Sequence, residues 1–230
     1  MSEIYQDGKY AEANPTWHEE DAAWKAQHVK SILVKNNVSF QTLCEVGCGA
    51  GGILVELSKA FPDVQFSGYD ISPQAYGMAV AKKSSKIDFH LKDLLAEENT
   101  HFDVVSIIDV IEHVEDYMGF VRKIKNYGRL KVFHIPLDLS VQSLTRMSPI
   151  MNLRKDVGHI HYFNKDIALA ALADCGYKIM DWRYTASRLE LPNQAISSQL
   201  MANPRRWLHK ISPDLAVRIF GGYSLMVLAE

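Results

Sequence analysis

The chain has 230 residues, 47% of them apolar and 23% charged, the balance of an ordinary globular protein with a sizeable core. At this length one large domain with insertions is expected rather than two independent catalytic domains. A formal charge of −2, from 25 basic and 27 acidic residues, leaves no chain-wide basic footprint for nucleic acid or an anionic membrane, so a small-molecule partner is favoured. Cys44, Cys48 and Cys175 form neither a C-x-x-C pair nor a dense framework, which suits a reducing compartment. The N-terminus, Met1-Ser2-Glu3-Ile4-Tyr5-Gln6-Asp7, lacks the basic-then-apolar order of a secretory signal. Nowhere does the chain run for the roughly 18 apolar residues of a membrane span. A cytoplasmic protein, monomer or homodimer, is expected.

In chain order, Asn14-Pro15-Thr16 punctuates a turn, Thr16 with Glu19 matches a capping box, and a helix is predicted through about Lys35 with Trp24, His28 and Ile32 on one face. The stretch that follows, Thr42-Leu43-Cys44-Glu45-Val46-Gly47-Cys48-Gly49-Ala50-Gly51-Gly52, continues into Ile53, Leu54 and Leu57 at helical spacing, so it reads as strand, tight turn and helix. Glycines there permit positive φ and close ligand approach, while the helix start presents unpaired N–H groups. Cys48, between two of the glycines, is expected to fill a small close-packed position. Gly47, Gly49 and Gly52 also satisfy the dinucleotide spacing, which alone is weak evidence. Glu45 discriminates: a carboxylate at the loop mouth repels a pyrophosphate and suits a ligand carrying an ammonium and a sulfonium. With its E-x-G-x-G-x-G order, the stretch resembles the first motif of class I S-adenosylmethionine (SAM) dependent methyltransferases.

Val64 to Asp70 reads as a second strand ending in an acid, at close to the ~20 residues from the glycines at which a carboxylate reaches a ribose. Ser72 as N-cap and Pro73 at the first helical position leave Asp70 free for a ligand. A helix over Gln74 to Lys83 and a third strand, Ile87 to Leu91, follow. Asp93 matches the acid that contacts the adenine amino group in the methyltransferases this chain resembles; its other reading is a helix cap. Phe102 to Asp109 is a fourth strand, apolar after its first acid as in the middle of a parallel sheet, and what lies beyond its carboxyl end faces the ligand crevice. A helix from Asp116 to Tyr127 and a fifth strand from Arg129 to Ile135 come next, then a long connection over 137–163. Asn164 caps a helix to Asp174, Gly176 ends it, and Tyr177 to Thr185 is a sixth strand. Residues 186–221 hold two Pro-started helices near Pro204 and Pro213, with a local basic and aromatic run, Arg205-Arg206-Trp207, before a final strand over Gly222 to Ala229.

This order predicts an α/β fold: a doubly wound, mostly parallel seven-stranded sheet, its last strand antiparallel, with helices on both faces. The resemblance covers roughly residues 40–185 and 222–229. It implies a single methyltransferase domain with an N-terminal helical lid over 1–40 and a SAM-binding core over 41–136; it is silent about 137–163 and 186–221, which are expected to be substrate-cap insertions, with a dimer surface the other reading of 186–221. Expected cofactor contacts in the loop are Glu45, Gly47, Cys48, Gly49 and Gly51. Beyond it they are Asp70, Ile71, Asp93, Leu94, Asp109 and Val110. Trp17, His18, Trp24 and His161 are substrate candidates.

Methyl transfer to a hydroxyl needs in-line alignment and a group to take the proton. An imidazole, titrating near pH ~6.5, is suited to that. His113 is the first-choice base, with His159 the other catalytic candidate. Asp109-x-x-Glu112-His113 with His159 or His161 would also suit a divalent cation. Similar acid-x-x-Glu-His sequences in ubiquinone-biosynthesis O-methyltransferases and small-RNA 2′-O-methyltransferases bind one, but the wider family carries Glu-His without it, and a metal is not favoured. His134 reads as a packed core histidine. The expected activity is O-methylation of a small molecule. N-methylation, a non-catalytic SAM-binding module and, against Glu45, a nicotinamide oxidoreductase are the alternatives.

Overall fold

In the computed structural model the described residues are 12, 14–17, 19–191 and 202–230. Seven strands form one sheet: β1 Thr42–Val46, β2 Gln65–Asp70, β3 Ile87–Leu91, β4 Phe102–Ile108, β5 Gly128–Pro136, β6 Ile179–Thr185 and β7 Ser224–Ala229. Their order is β3-β2-β1-β4-β5-β7-β6. β1 to β5 pair in parallel, and β7 runs antiparallel between β5 and β6. The expected mostly parallel sheet with an antiparallel last strand is what the chain forms.

Period-two side-chain alternation divides the core between the two faces. On β4, Val104 joins the face covered by α1 (Ala22–Lys35), α2 (Gly52–Ala60) and α3 (Pro73–Val80), where Val29, Ile32, Leu33, Leu54 and Leu57 are fully buried. Val105 and Ile107 join the other face, covered by α4 (Tyr117–Ile124) and α7 (Lys165–Asp174) with Phe120, Val121, Ile124 and Leu172. With both faces covered, β4 is apolar from Val104 to Ile108 except for the buried Ser106.

The connection after β5 is helical: α5 Val141–Arg146, α6 Ser148–Asn152 and a π-helical turn, Leu153–Val157. After β6 come α8 Ser187–Glu190, α9 Ala202–Ile211 and α10 Pro213–Phe220. α10 packs on both α5 and α9, and α5 on α6, so the two insertions build one helical cap. Among the described residues no helix is long and apolar enough to cross a membrane.

Several boundaries differ from expectation for identifiable reasons. α1 begins after a 3-10 turn, Glu19–Asp21, and Thr16 donates to the Glu20 carboxylate at 2.7 Å, so the capping box with Glu19 does not form. The helix over 116–127 ends in 3-10 geometry at Lys125–Tyr127, because Gly128 already belongs to β5. α3 stops at Val80, short of Lys83. Asn164 caps α7 by accepting from Ile167 N at 2.9 Å, and Gly176 takes φ +86° to end it, both as the sequence indicates.

Candidate active site

A cavity of about 490 Å³ opens at the carboxyl ends of β1, β2, β4 and β5, where ligands bind in open α/β sheets. It is lined on one side by the glycine loop and α1, and on the other by Leu153, Val157, His159, Ser187 and Arg188.

The loop takes the shape its glycines allow. Gly47, Gly49 and Gly51 all have positive φ. A side chain on Gly47, at φ +70°, would put its Cβ 2.7 Å from Val110 Cγ2, so that position needs glycine for backbone and for space. Cys48 is buried, lines the cavity, and its thiol is pushed well above the ordinary range by burial and by Asp70 and Glu45, the mark of a packed cysteine and not a nucleophile.

Glu45, at the end of β1, is 1% exposed, lines the cavity and leaves Oε2 without a hydrogen-bond partner. Burial is the main cause that raises its pKa to about 8; Lys25 opposes the shift and Asp70 adds to it. An orphaned buried carboxylate invites a cation, and the ammonium and sulfonium of SAM supply positive charge. Asp70 is not free as the sequence suggested. Its Oδ2 accepts from Gly49 N and its Oδ1 from Ser72 N, each at 2.8 Å, so it braces the loop against the start of α3. Each carboxylate oxygen keeps a second lone pair for a ribose hydroxyl. Ser72 does cap α3.

Ile71 and Val110 line the cavity, while Asp93 and Leu94 are not among its lining residues. Asp93 accepts from Leu95 N at 2.9 Å and caps a 3-10 turn, the alternative that the sequence left open, and Leu94 is fully buried in the core.

Asp109 departs most from a simple ligand role. It takes φ +54°, uncommon for a residue other than glycine, and its carboxylate is held from both sides. Lys25 of α1 reaches Oδ2 at 2.9 Å, and His134 Nδ1 donates to Oδ1 at 2.6 Å. Burial opposes ionisation of Asp109, yet His134 and Lys25 together hold its pKa far below the carboxylate range. His134 in turn accepts from Thr185 Oγ1 at 2.9 Å. It is buried in β5 as expected but also lines the cavity, which periodicity alone did not indicate. The available signal was topological: Ile108 and His134 are register partners on adjacent parallel strands, so Asp109 lies one residue beyond.

Glu112, His113 and His159 come together. One ligand atom from each lies within 4.8 Å of the others, and the imidazole rings meet edge to face at 4.9 Å. His113 Nδ1 donates to Gly158 O at 3.1 Å and His159 Nδ1 to Asp138 Oδ2 at 2.8 Å. Both Nε2 atoms are thereby turned toward Glu112 Oε1, at 3.8 and 4.0 Å. Both rings line the cavity. Glu112 is fully buried and neither carboxylate oxygen has a hydrogen-bond partner. Burial, reinforced by the charge of Asp109, raises its pKa well above normal. Its backbone carbonyl accepts from Ile160 N and His161 N at 2.9 and 3.1 Å, which locks the two segments together. Asp109 is not part of this cluster.

Of the substrate candidates, Trp17 and Trp24 line the cavity, Trp24 donating to Glu190 Oε2 at 2.7 Å. His161 instead packs on Tyr117 and bonds to Glu115 O at 3.1 Å, away from the cavity lining. His18 lies outside the described residues.

A sequence profile described as a methyltransferase domain matches residues 17–181. The chain is 35% identical over 124 residues to a mitochondrial ubiquinone biosynthesis O-methyltransferase of Schizosaccharomyces pombe, covering 48% of this chain and 44% of that protein. It is 36% identical over 90 residues to ajmaline N-methyltransferase of Rauvolfia serpentina, covering 36% and 31% respectively. The chain thus spans less than half the length of either relative. Its fold matches that of magnesium protoporphyrin IX methyltransferase from Synechocystis PCC 6803 with bound S-adenosylhomocysteine (SAH), at a TM-score of 0.61 and 18% identity over 90% of this chain and 82% of the other. It also matches N-methyltransferase NodS from Bradyrhizobium japonicum WM9 in complex with SAH, at 0.56 and 15% over 89% and 85%. The glycine loop with its orphaned acid, the seven-stranded sheet and a family match over most of the chain lead to one conclusion: this protein belongs to the class I SAM-dependent methyltransferases.

Proposed function

We propose that this chain transfers the methyl group of SAM to a hydroxyl of a small molecule, with the cluster of Glu112, His113 and His159 taking charge of the hydroxyl proton. The observation that carries the reading is the paired orientation of the two histidines. Each Nδ1 is committed to an acceptor, so each Nε2 is left basic, and both rings border the cavity. A sulfonium needs little activation as a methyl donor once nucleophile, carbon and sulfur are aligned, whereas a hydroxyl gains nucleophilicity as its proton leaves. His113 is the base in this reading, and Asp138 fixes the His159 ring.

The loop supports the cofactor half of the proposal. Glu45 would pair with the ammonium of the methionyl tail, Asp70 would reach the ribose, and Gly47 and Gly49 would let the cofactor lie against the backbone. The same proposal makes the segment through α1 a lid over the cofactor, and residues 137–163 and 186–221 a substrate cap. Lys25 and Trp24 of α1 border the same cavity as Arg188 and Leu191.

One observation favours a second reading of the cluster. Glu112, with two unpartnered oxygens in a buried position, faces two imidazoles whose far nitrogens are oriented by a carbonyl and a carboxylate, the outer-shell pattern of histidine ligands to metals. These three residues fit a divalent cation, which would supply a lowered hydroxyl pKa. Asp109, engaged by Lys25 and His134, would not be a ligand.

Turnover of SAM with a panel of hydroxylated and amine compounds, before and after chelation, tests both readings. Hydroxyl methylation that vanishes in His113→Ala supports the proposal. Methylation of amines alone, unaffected by that substitution, would falsify it. Loss of activity on chelation, restored by a divalent cation, selects the metal reading.

A further inference from the structure

The helical cap has a surface unlike the rest of the molecule. Twelve large hydrophobic residues are exposed among those described, and seven of them sit in α5, α6, α9 and α10 or the residues joining them: Val141, Leu144, Met147, Met151, Trp207, Ile211 and Leu215. Trp207 is 67% exposed and Ile211 62%. Charge is segregated the same way. Residues 141–157 and 202–220 hold seven of the chain's 25 lysines and arginines but only two of its 27 acids. A protein of net charge −2 therefore carries a distinctly positive cap on a distinctly negative body.

The two properties interleave along the helices. On α9, Trp207 and Ile211 are one turn apart, and Arg206 and Lys210 form the adjacent row, all four exposed. In the other insertion Leu144, Met147 and Met151 follow at three- and four-residue steps, with Arg146, Arg154 and Lys155 exposed beside them. Arg146, Arg154, Lys155, Arg206 and Lys210 form no ion pair among the described residues, whereas Arg218 is paired with Asp166, Asp214 with Lys165, and Arg205 is buried. Exposed aromatic and aliphatic side chains flanked by unpaired cations are what an amphipathic helix presents to a membrane interface, where the apolar row enters the acyl boundary and the cations meet anionic headgroups.

We propose that the cap docks the protein peripherally on an anionic lipid surface, through Trp207 and Ile211 of α9 and the exposed apolar residues of α5 and α6, which α10 joins to α9, with Arg206, Lys210, Arg146 and Arg154 against the headgroups. The sequence as a whole gives no such expectation, because the acidic body cancels the cap. The π-helical turn Leu153–Val157 links this surface to the active site: Leu153 and Val157 line the cavity, while Arg154 and Lys155 face solvent. A docked molecule would hold its substrate cavity beside the bilayer. The inference does not rest on methyl transfer, since it concerns a surface outside the cofactor site.

Co-sedimentation of the full chain with vesicles of phosphatidylcholine, alone or mixed with phosphatidylglycerol, tests it at low and high salt. Binding is expected to the mixed vesicles only, weakening as added salt shortens the range of the headgroup potential. R206Q/K210Q should weaken it about 30-fold, and W207S/I211S by more than about tenfold. V34S/K59Q, which alters exposed residues of α1 and α2, should leave it unchanged. SAH affinity, measured on every variant, reads the fold independently of lipid. No binding to mixed vesicles at low salt, equal binding to both lipids, insensitivity to the cap substitutions with SAH affinity intact, or capture by RNA in place of vesicles overturns the proposal.

Discussion

The two halves of the cavity are built in different ways. The cofactor half is largely local: the bonds that shape Gly47 to Gly51 come from the loop itself, from Tyr69 and Asp70 on the neighbouring strand, and from Lys82 just past α3, whose Nζ donates to Ala50 O at 2.7 Å. The reactive half is assembled at long range. Glu112 and His113 meet Gly158 and His159 only because the Glu112 carbonyl holds Ile160 and His161, while Asp138 arrives from a third segment. Substitutions in the first half should therefore reach the cofactor and leave the proton chemistry intact, and those in the second should do the reverse.

The sharpest test of that division removes both imidazoles. His113→Ala with His159→Ala should lower turnover on a hydroxylated substrate by about 10³-fold or more, within the range for a positioned acid–base pair, with SAH affinity unchanged in calorimetry. Comparable loss of SAH binding would break the comparison. Gly47→Val strikes the other half. Its side chain meets Val110 at a positive φ, so SAH affinity should fall by about 100-fold or more while the seven-stranded core remains folded by circular dichroism. Asp138→Asn keeps the shape but loosens the His159 orientation and should cost turnover about 10–100-fold, with no change in SAH affinity.

The mildest effect is a pH dependence. Glu45 is raised to about 8 in the folded protein, mainly by burial, so it is largely protonated at neutral pH. A carboxyl raised above its unfolded value contributes stability that is present below the unfolded pKa and is lost as pH rises through the folded one. The unliganded protein should thus lose stability across pH 4.5 to about 8 on account of this group. An ammonium ligand pairs with the ionised form, so SAH affinity should move oppositely, rising by up to about tenfold per pH unit below 8, with proton release visible as a buffer-dependent binding enthalpy. Glu45→Gln should abolish both trends. Their persistence would place the titration elsewhere.

What could be read from residues alone follows the same division. Strand, turn and helix around Glu45 to Leu57, the Ser72–Pro73 helix start and the Asn164 cap were legible because each is encoded within a few neighbouring positions by glycine freedom, side-chain caps and apolar runs, and the alternation of strands with helices gave the doubly wound sheet with its antiparallel last strand, though not the strand order. Asp70 was placed at the right strand end, but its engagement with Gly49 and Ser72 was hidden, since hydrogen-bond partners depend on how two loops approach. The grouping of Glu112 with both histidines was anticipated from residue type, whereas the exclusion of Asp109 was not. Lys25 lies 84 positions away, and only the packing of α1 across the sheet brings it to that carboxylate.

By itself, then, the sequence determined the sheet, the glycine cradle and the acid at its mouth, because short-range stereochemistry and periodicity suffice for those. Tertiary packing alone decided which acids are spent on bracing, which are left unpartnered in the interior, and which exposed apolar side chains share a cap with unpaired cations. Burial and charge pairing are properties of segments that meet in space, and no local pattern encodes them.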